Sequence, residues 1–285
     1  MRKTLIAATI AGAFALPSVA LAQAAAPAAA ASPHTVTGNL SLVTDYRFRG
    51  ITQTFGQPAL QGGIDYSHAS GIYLGNWNSN VSQTAGFPDG NLEMDFYGGY
   101  KFEVAKDLLL DLGVMYYYYP GSDTRNGTNF YTPANLRKAA PNAFTGSTIF
   151  NTEVYLGATY KFITAKYSHA VSDYFKVPST KSSSYFDLAA NYDLGDGWGI
   201  NGHIGRLSVK NFGDASYTDY KLGVTKDVGG WVFGASYIST NAKDNCSPTA
   251  PAFQVYCFTK NNGVAGSPTY AGGKDTVVVS VTKSF

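Results

Sequence analysis

The chain has 285 residues, of which 21 are basic, 19 are acidic and 14% in all are charged. This nearly neutral balance excludes a nucleic-acid partner that is held by net charge. Tyrosine (21), phenylalanine (17) and glycine (31) are abundant, which is typical of a β-barrel that faces lipid and carries aromatic rims.

The first 22 residues predict a cleaved signal peptide. A basic start and a mostly apolar run precede Ala20 and Ala22 in an A-x-A cleavage pattern, so we expect cleavage before Gln23. Residues 23–35 are rich in alanine and proline and predict a flexible lead-in. No later stretch reaches about 18 apolar residues, so we expect no transmembrane helix.

From residue 36 onward, segments of about ten residues alternate apolar with polar side chains. Because successive side chains of a strand point to opposite faces, each segment predicts a strand with one apolar face. The first, residues 36–48, places Leu40, Leu42, Tyr46 and Phe48 on that face. The others are residues 59–67, 72–79, 92–102, 108–119, 153–162, 163–174, 186–194, 198–209, 219–225, 231–239 and 276–285.

The connections alternate in length, short after even-numbered strands and mostly long after odd-numbered ones. Outer-membrane barrels have this layout, with short periplasmic turns and long extracellular loops, whereas a Greek-key sandwich has no reason to show it. The sequence therefore predicts an all-β fold, a single antiparallel transmembrane β-barrel of about twelve strands over residues 36–285. We expect residues 120–147 or 240–275 to fold inward and narrow the pore.

The last strand, residues 276–285, ends in Phe285. A terminal strand ending in an aromatic residue resembles the closing strand that the barrel assembly machinery reads, and the alternative is an edge strand of a soluble sandwich. Lys283 interrupts its apolar face, and we expect the amine to extend towards headgroups or water.

Aromatic residues cluster at both ends of the predicted strands and predict two belts around an apolar band. At the short-turn ends these residues are Trp198, Trp231 and Phe285. Near the long loops they are Tyr117, Tyr118, Tyr119, Tyr174, Phe175 and Tyr237.

The polar strand faces then line the lumen, where charges either neutralise one another across the wall or create fields that select ions. The sequence does not decide between mutual neutralisation of these charges and ion selection by them. The pore-lining candidates are Asp45, Arg47, Arg49, Asp65, Glu93, Asp95, Lys101, Asp111, Glu153, Lys161, Lys166, Asp187, Asp193, Asp219 and Lys221.

Cys246 and Cys257 predict a disulfide, because an exported chain enters an oxidising compartment. Closing so short a loop contributes roughly 3 kcal/mol in the chain-entropy model. Too few further ligands lie nearby for a metal site. His169 and Ser172 fall on opposite faces of a strand and cannot form a nucleophile–base pair. We expect no enzyme and no cofactor.

Residues 45–53, Asp-Tyr-Arg-Phe-Arg-Gly-Ile-Thr-Gln, together with residues 58–68 and 70–77, resemble the TorF family of porins. The resemblance covers residues 36–119 well and extends loosely to Phe285. It implies a proteobacterial, hence Gram-negative, outer-membrane barrel that conducts small solutes, and it supplies no substrate or active site.

The Arg-Gly-Ile-Thr-Gln stretch lies where the first predicted strand meets its outer loop. Arg47 and Arg49 share the lumen face there, either as an anion contact at the mouth or simply as partners of Asp45 and Asp65.

The predicted function is an outer-membrane porin-like channel for passive diffusion of small hydrophilic solutes or ions. One alternative is a non-conducting outer-membrane barrel whose extracellular loops bind a partner or ligand, and another is a soluble exported β-sandwich. The expected partners are outer-membrane lipid, the barrel assembly machinery and small solutes.

Overall fold

A computed structural model describes residues 32–87, 89–124, 146–247, 249–250, 254–260 and 267–285. The predicted signal peptide lies outside these residues, and the first strand begins at residue 34 rather than 36. In chain order the strands are β1 (His34–Val43), β2 (Arg47–Phe48), β3 (Ile51–Thr52), β4 (Ala59–His68), β5 (Ile72–Asn80), β6 (Leu92–Ala105), β7 (Leu108–Tyr119), β8 (Ile149–Tyr160), β9 (Ile163–Ala170), β10 (Ser184–Gly195), β11 (Trp198–Ser208), β12 (Tyr217–Val228), β13 (Trp231–Thr240), β14 (Cys257–Thr259), β15 (Thr269–Ala271) and β16 (Thr276–Ser284).

Twelve of these strands close into an antiparallel barrel, in the ring order β1-β16-β13-β12-β11-β10-β9-β8-β7-β6-β5-β4. The ring closes at β1, where Leu42 lies opposite Val281 on one side and opposite Leu60 on the other. The remaining strands form two small hairpins, β2 with β3 and β14 with β15. The predicted barrel, its strand number and its antiparallel pairing are confirmed.

The connections separate by length onto the two ends of the barrel. The short turns are residues 69–71, 106–107, 161–162, 196–197 and 229–230. The long loops are residues 44–58, 81–91, 120–148, 171–183, 209–216 and 241–275. Within the described residues, short 3₁₀ helices lie in these loops at Gln83–Ala85, Tyr174–Lys176 and Gly213–Ala215.

The outer surface of the barrel is apolar, as the alternation predicts. Side chains such as Val36 (67% exposed), Ile64 (63%) and Leu222 (62%) point away from the lumen. No helix among the described residues is long and apolar enough to cross a membrane. Trp198, Trp231 and Phe285 face outward at the short-turn end.

Four residues of the predicted long-loop belt do not face outward. Tyr117, Tyr119, Tyr174 and Phe175 are buried inside the barrel, whereas Tyr237 is half exposed on the outer face. An aromatic residue near the end of a strand looks the same in sequence whether it faces lipid or the interior. The prediction that these four rings belong to the outer belt is therefore wrong.

The first strand is shorter than predicted, ending at Val43 rather than residue 48. Tyr46 and Phe48 are buried in the interior and do not continue the lipid-facing side. The chain turns inward because the Asp45 carboxylate accepts hydrogen bonds from the Thr52 hydroxyl (2.6 Å) and the Thr54 hydroxyl (3.1 Å), which fold the segment back on itself.

The closing strand is tied to β1 through its final residue. The Phe285 N–H donates to Gly38 O at 2.9 Å, and the Gly38 N–H donates to Phe285 O at 2.7 Å. A Cβ on residue 38 would lie 2.6 Å from the Phe285 ring, so a larger residue there would push the ring aside. Lys283 places its amine 5.5 Å from the Trp231 ring centroid at the short-turn rim.

The last long loop contains the predicted disulfide. Cys246 and Cys257 are joined with their Cα atoms 5.2 Å apart. Cys257 begins β14, so the disulfide ties the β14–β15 hairpin to the segment that leaves β13.

Candidate functional site

Residues 44–58, here called the crossing hairpin, enter the lumen between β1 and β4 and contain β2 and β3. Arg49 (φ 48°) and Gly50 (φ 80°) form its two-residue tip, and positive φ at both positions is the geometry of a type I′ hairpin turn. A Cβ on Gly50 would lie 2.8 Å from Asp219 Cβ on the wall. The tip therefore requires glycine both for its backbone and for its close approach to β12.

The base of the hairpin is held by charge. Arg47 Nε donates to the Asp45 carboxylate at 2.5 Å. Arg47 Nη1 donates to the carbonyl oxygens of Gly272 (2.9 Å) and Lys274 (3.1 Å) in the last long loop. Of the two alternatives left open for Arg47, the structure shows the pairing with Asp45, on a hairpin rather than on a wall strand.

The tip reaches the far wall of the barrel. Arg49 Nη2 donates to Glu153 Oε2 on β8 at 2.8 Å. Its guanidinium carbon lies 4.2 Å from the ring centroid of Tyr185 on β10. Since β8 and β10 flank β9, which stands opposite β1 in the ring, the hairpin spans the lumen from wall to wall. The expected alternative partner, Asp65, is instead bound by the Tyr97 hydroxyl at 2.6 Å.

The Arg49–Glu153 pair is almost fully enclosed, with side-chain exposures of 1% and 3%. Arg49 Nη1 also donates to the Tyr174 hydroxyl at 2.9 Å. Burial by itself lowers the pKa of the Arg49 guanidinium, but the Glu153 carboxylate together with Tyr174 and Tyr117 outweighs burial, and the net direction of the pKa is upward. The arginine stays charged and pins the hairpin to β8.

The inner wall divides into two parts. We call the inner face of β6 to β12 the charged arc and that of β13, β16, β1, β4 and β5 the neutral arc. Along the neutral arc, whose strands are all described, Asp65 is the one inward residue with a charge. The other inward residues are uncharged polar, small or apolar ones, and the large ones among them include Tyr73, Trp77, Val232 and Ile238. The predicted candidates on the charged arc are Glu93, Asp95, Lys101, Asp111, Glu153, Lys166, Asp187, Asp193, Asp219 and Lys221.

Acidic and basic side chains both occur along the charged arc, and several of them contact tyrosines. The Tyr73 hydroxyl donates to Asp111 at 2.6 Å and also contacts the Tyr155 hydroxyl. Lys101 Nζ lies 4.0 Å from Asp111 Oδ2, and Lys166 Nζ lies 3.8 Å from the Tyr155 ring centroid. These contacts partly neutralise the wall and hold each amine at a fixed height.

His203 joins this network although it was not among the predicted pore-lining residues. Its Nδ1 lies 2.8 Å from Asp187 on β10 and its Nε2 lies 3.4 Å from Asp219 on β12. The strand pattern could have revealed this contact. β11 pairs with β10 and β12 so that His203 lies on the same inner face as Asp187 and Asp219.

Glu93 and Asp95 are fully buried where β6 meets the crossing hairpin. Tyr119 donates its hydroxyl hydrogen to Glu93 at 2.8 Å. Neither carboxylate oxygen of Asp95 has a hydrogen-bond partner within the described part of the chain. In that same part no group of three or more histidine, cysteine, aspartate or glutamate residues has an arrangement that suits a metal ion.

Lys161 does not line the lumen, contrary to expectation. It lies in the two-residue turn between β8 and β9 with φ 55°, and its amine is 5.2 Å from the outward Tyr160 ring centroid. The predicted sixth and seventh strands met at residue 162, so the turn that removes Lys161 from the wall was placed too late.

Among the described residues, the segment that crosses the lumen is one that the sequence did not predict to fold inward. Of the two loops predicted to fold inward, residues 125–145 lie outside the described part, and residues 241–275 bury Tyr256 and Phe258 near the mouth. The deeper obstruction is the crossing hairpin. Beneath its tip remains a small cavity lined by Arg49, Tyr117, Lys166, Ser168, Tyr185 and Asp187.

A family match covers nearly the whole barrel chain. The sequence profile described as "Bacterial protein of unknown function (Gcw_chp)" matches residues 27–285. The chain belongs to the Gcw_chp family. This description does not contain the TorF name, so the TorF resemblance stays a prediction. No curated protein matches the chain.

Several solved barrels resemble this Gcw_chp protein in outline. The KdgM porin aligns over 87% of this chain and 99% of its own, with 8% identity and a TM-score of 0.48. The NanC porin aligns over 87% and 98%, with 6% identity and a TM-score of 0.42. The toluene transporter TodX of P. putida aligns over 89% and 90%, with 10% identity and a TM-score of 0.43.

Proposed function

We propose that this chain is an outer-membrane porin-like channel for passive diffusion of small hydrophilic solutes or ions. The observation that carries the proposal is a closed twelve-stranded barrel with an apolar outer surface and an inner wall of opposite charges. An apolar belt on the outside needs lipid, and charges inside need water or one another. A bacterial barrel of this kind belongs in the outer membrane, with its short turns in the periplasm.

The crossing hairpin limits what such a channel passes. Arg49 and Glu153 hold the tip against the wall opposite β1, so a solute passes only beside the tip or after the tip has moved. We infer small conductance steps and exclusion of large solutes. The alternating charges of Lys101, Asp111, Lys166 and Asp187 line the way past the hairpin.

Planar-bilayer recording of the refolded protein tests the proposal. The wild type is expected to give small discrete current steps, and a variant in which residues 47–52 are replaced by a short Gly-Ser link is expected to give larger ones. A heat-dependent gel shift confirms that each form is folded. If neither folded form gives discrete steps, the barrel is not a channel.

One observation favours a second function, a non-conducting barrel whose extracellular loops bind a ligand. The hairpin crosses the lumen and is tied to the loops through the hydrogen bonds from Thr52 N–H to Gly272 O (3.0 Å) and from Ser82 N–H to Gln53 O (2.8 Å). A wild type without conductance beside a conducting hairpin-deletion variant is the result that this function predicts.

The remaining expectations accompany this proposal. Residues 1–22 act as the signal peptide and residues 23–35 as a lead-in, outer-membrane lipid surrounds the barrel, and Phe285 acts as the signal for the assembly machinery. A Phe285→Ser variant is expected to accumulate outside the membrane fraction, and normal assembly of that variant would contradict the role. The chain is proposed to have no enzymatic activity.

A further inference from the structure

An aromatic pocket opens at the long-loop end of the barrel, on the outer side of the crossing hairpin. Its cavity volume is about 50 Å³, so an occupant must be a small molecule. The hairpin supplies Phe48, Ile51 and Gln53, and the loops after β5, β9 and β13 and the ends of β11 and β12 supply the rest. The pocket is therefore built jointly by the hairpin and the loops.

Aromatic rings dominate the lining of this pocket. Seven of its twelve residues are phenylalanine or tyrosine, among them Phe48, Phe87 and Phe258. None of the twelve is acidic, basic or histidine. Ring faces and edges attract another flat ring, and a charge placed here would lose its water without gaining a counterion. The lining favours an uncharged ring compound.

Two polar groups in the lining have no hydrogen-bond partner among the residues that the structure describes. Among the described residues the Tyr217 hydroxyl has no hydrogen-bond partner, and Gln53 uses only its amide nitrogen, which donates to Ile51 O at 2.8 Å and leaves Oε1 available. Both residues are nonetheless buried, with exposures of 2% and 5%. The other tyrosine hydroxyls of the pocket are engaged. Tyr256 donates to Ala215 O at 2.6 Å, and Tyr174 accepts from Arg49 at 2.9 Å. Enclosed polar groups normally find partners, so these two indicate where a bound molecule places its own.

We propose that this pocket binds an uncharged single-ring aromatic compound that carries a hydroxyl group, phenol being the simplest case. The ring packs among the phenylalanine and tyrosine rings, and the hydroxyl hydrogen-bonds with Tyr217 and with Gln53 Oε1. A sugar ring fits less well, because it carries several hydroxyls and the lining offers only two unpaired side-chain groups to meet them.

This binding site does not depend on conduction. It lies on the loop side of the hairpin and exists whether the barrel passes ions or not, so a failed conductance test leaves it standing. Binding is nevertheless linked to the hairpin, since three lining residues belong to it. A ligand that needs the hairpin in place stabilises the crossed position.

The test uses the whole barrel in lipid nanodiscs, which avoid detergent chains that compete for an apolar pocket. Fluorine NMR titration with 4-fluorophenol is expected to show saturable binding, and fluorobenzene is expected to bind roughly tenfold more weakly for lack of the hydroxyl. Glucose is expected not to compete. Linear uptake of both fluorinated probes, equal to that of empty nanodiscs, would mean partition into lipid and would overturn the proposal.

Matched variants then locate the site. Tyr217→Phe removes one hydroxyl and keeps the ring, and is expected to weaken 4-fluorophenol binding about tenfold while leaving fluorobenzene unchanged. Tyr220→Phe, on the outer face of the same strand, is the control and is expected to change neither. Phe258→Leu removes a ring and is expected to weaken both probes. Equal behaviour of Tyr217→Phe and Tyr220→Phe would contradict this site.

Discussion

The two arcs of the inner wall differ sharply although they belong to one barrel. The charged arc carries at least one ionisable side chain on every strand from β6 to β12, with histidine alone on β11, while the five described strands of the neutral arc have a single inward charge, Asp65. The crossing hairpin starts from the neutral arc and places Arg49 on the charged one. The hairpin is therefore part of the electrostatics of the wall, because its arginine is the counterion that Glu153 lacks on its own strand.

The largest loss of stability is expected from removing Arg49, the counterion of Glu153. Arg49→Met leaves the Glu153 carboxylate buried and unpaired, which costs about 3–5 kcal/mol. Urea unfolding in detergent, followed by the heat-dependent gel shift, measures the loss. The double variant Arg49→Met/Glu153→Gln is expected to recover part of it. A single variant as stable as the wild type would show that the hairpin is not held by this pair.

Replacing Asp95, on the same arc, is expected to raise the free energy of unfolding rather than lower it. Its two carboxylate oxygens have no partner among the described residues, so Asp95→Leu is expected to stabilise the barrel by about 1–3 kcal/mol. Asp187→Leu is the matched control and is expected to destabilise, because His203 binds that carboxylate at 2.8 Å. Loss of stability in both variants would show that Asp95 has a partner in solution.

On the neutral arc the expected effects are smaller. The hydroxyls of Ser41 and Thr282 contact each other between β1 and β16, and both side chains are buried. Ser41→Ala leaves one hydroxyl unpaired and is expected to lower the free energy of unfolding by about 1 kcal/mol. Adding Thr282→Val is expected to reduce this loss. A loss as large as that of Arg49→Met would contradict the distinction between the arcs.

The smallest effect concerns ion preference. Lys166→Met and Lys221→Met each remove one positive charge from the charged arc and are expected to shift the cation-to-anion permeability ratio about twofold towards cations. Reversal potentials under a salt gradient measure it. Ser236→Ala and Ser280→Ala on the neutral arc are the controls, and a shift of equal size in them would show that the arcs do not differ in function.

The alternation of apolar and polar residues predicted the barrel wall but not where the first strand ends. The apolar side of β1 continues in pattern through Tyr46 and Phe48, yet the wall ends at Val43 and those two rings enter the interior. The pattern is the same for a strand facing lipid and for an inward hairpin. The partners that decide between them, Glu153 for Arg49 and Gly272 for Arg47, are 104 and 225 residues away in the chain.

Contacts between residues far apart in the chain also explain why other aromatic residues were assigned to the wrong face or to none. Tyr117 and Phe175 carry the signature of a lipid belt, but they pack on Phe48 at centroid distances of 5.5 and 5.9 Å once the hairpin is inside. Trp77 on β5 made the phase of its strand unreadable, and it faces inward against Tyr46 at 5.5 Å. The side of the wall that each of these aromatic residues faces depends on its contact with the hairpin, which the local sequence does not show.

The sequence by itself determined the closed barrel, its twelve strands, the separation of short turns from long loops and the disulfide, because these follow from period-two alternation, turn chemistry and spacing along the chain. Only the tertiary structure decided what fills the lumen. The crossing hairpin, the two arcs and the aromatic pocket depend on contacts between residues far apart in the chain, and no local pattern encodes which of them meet.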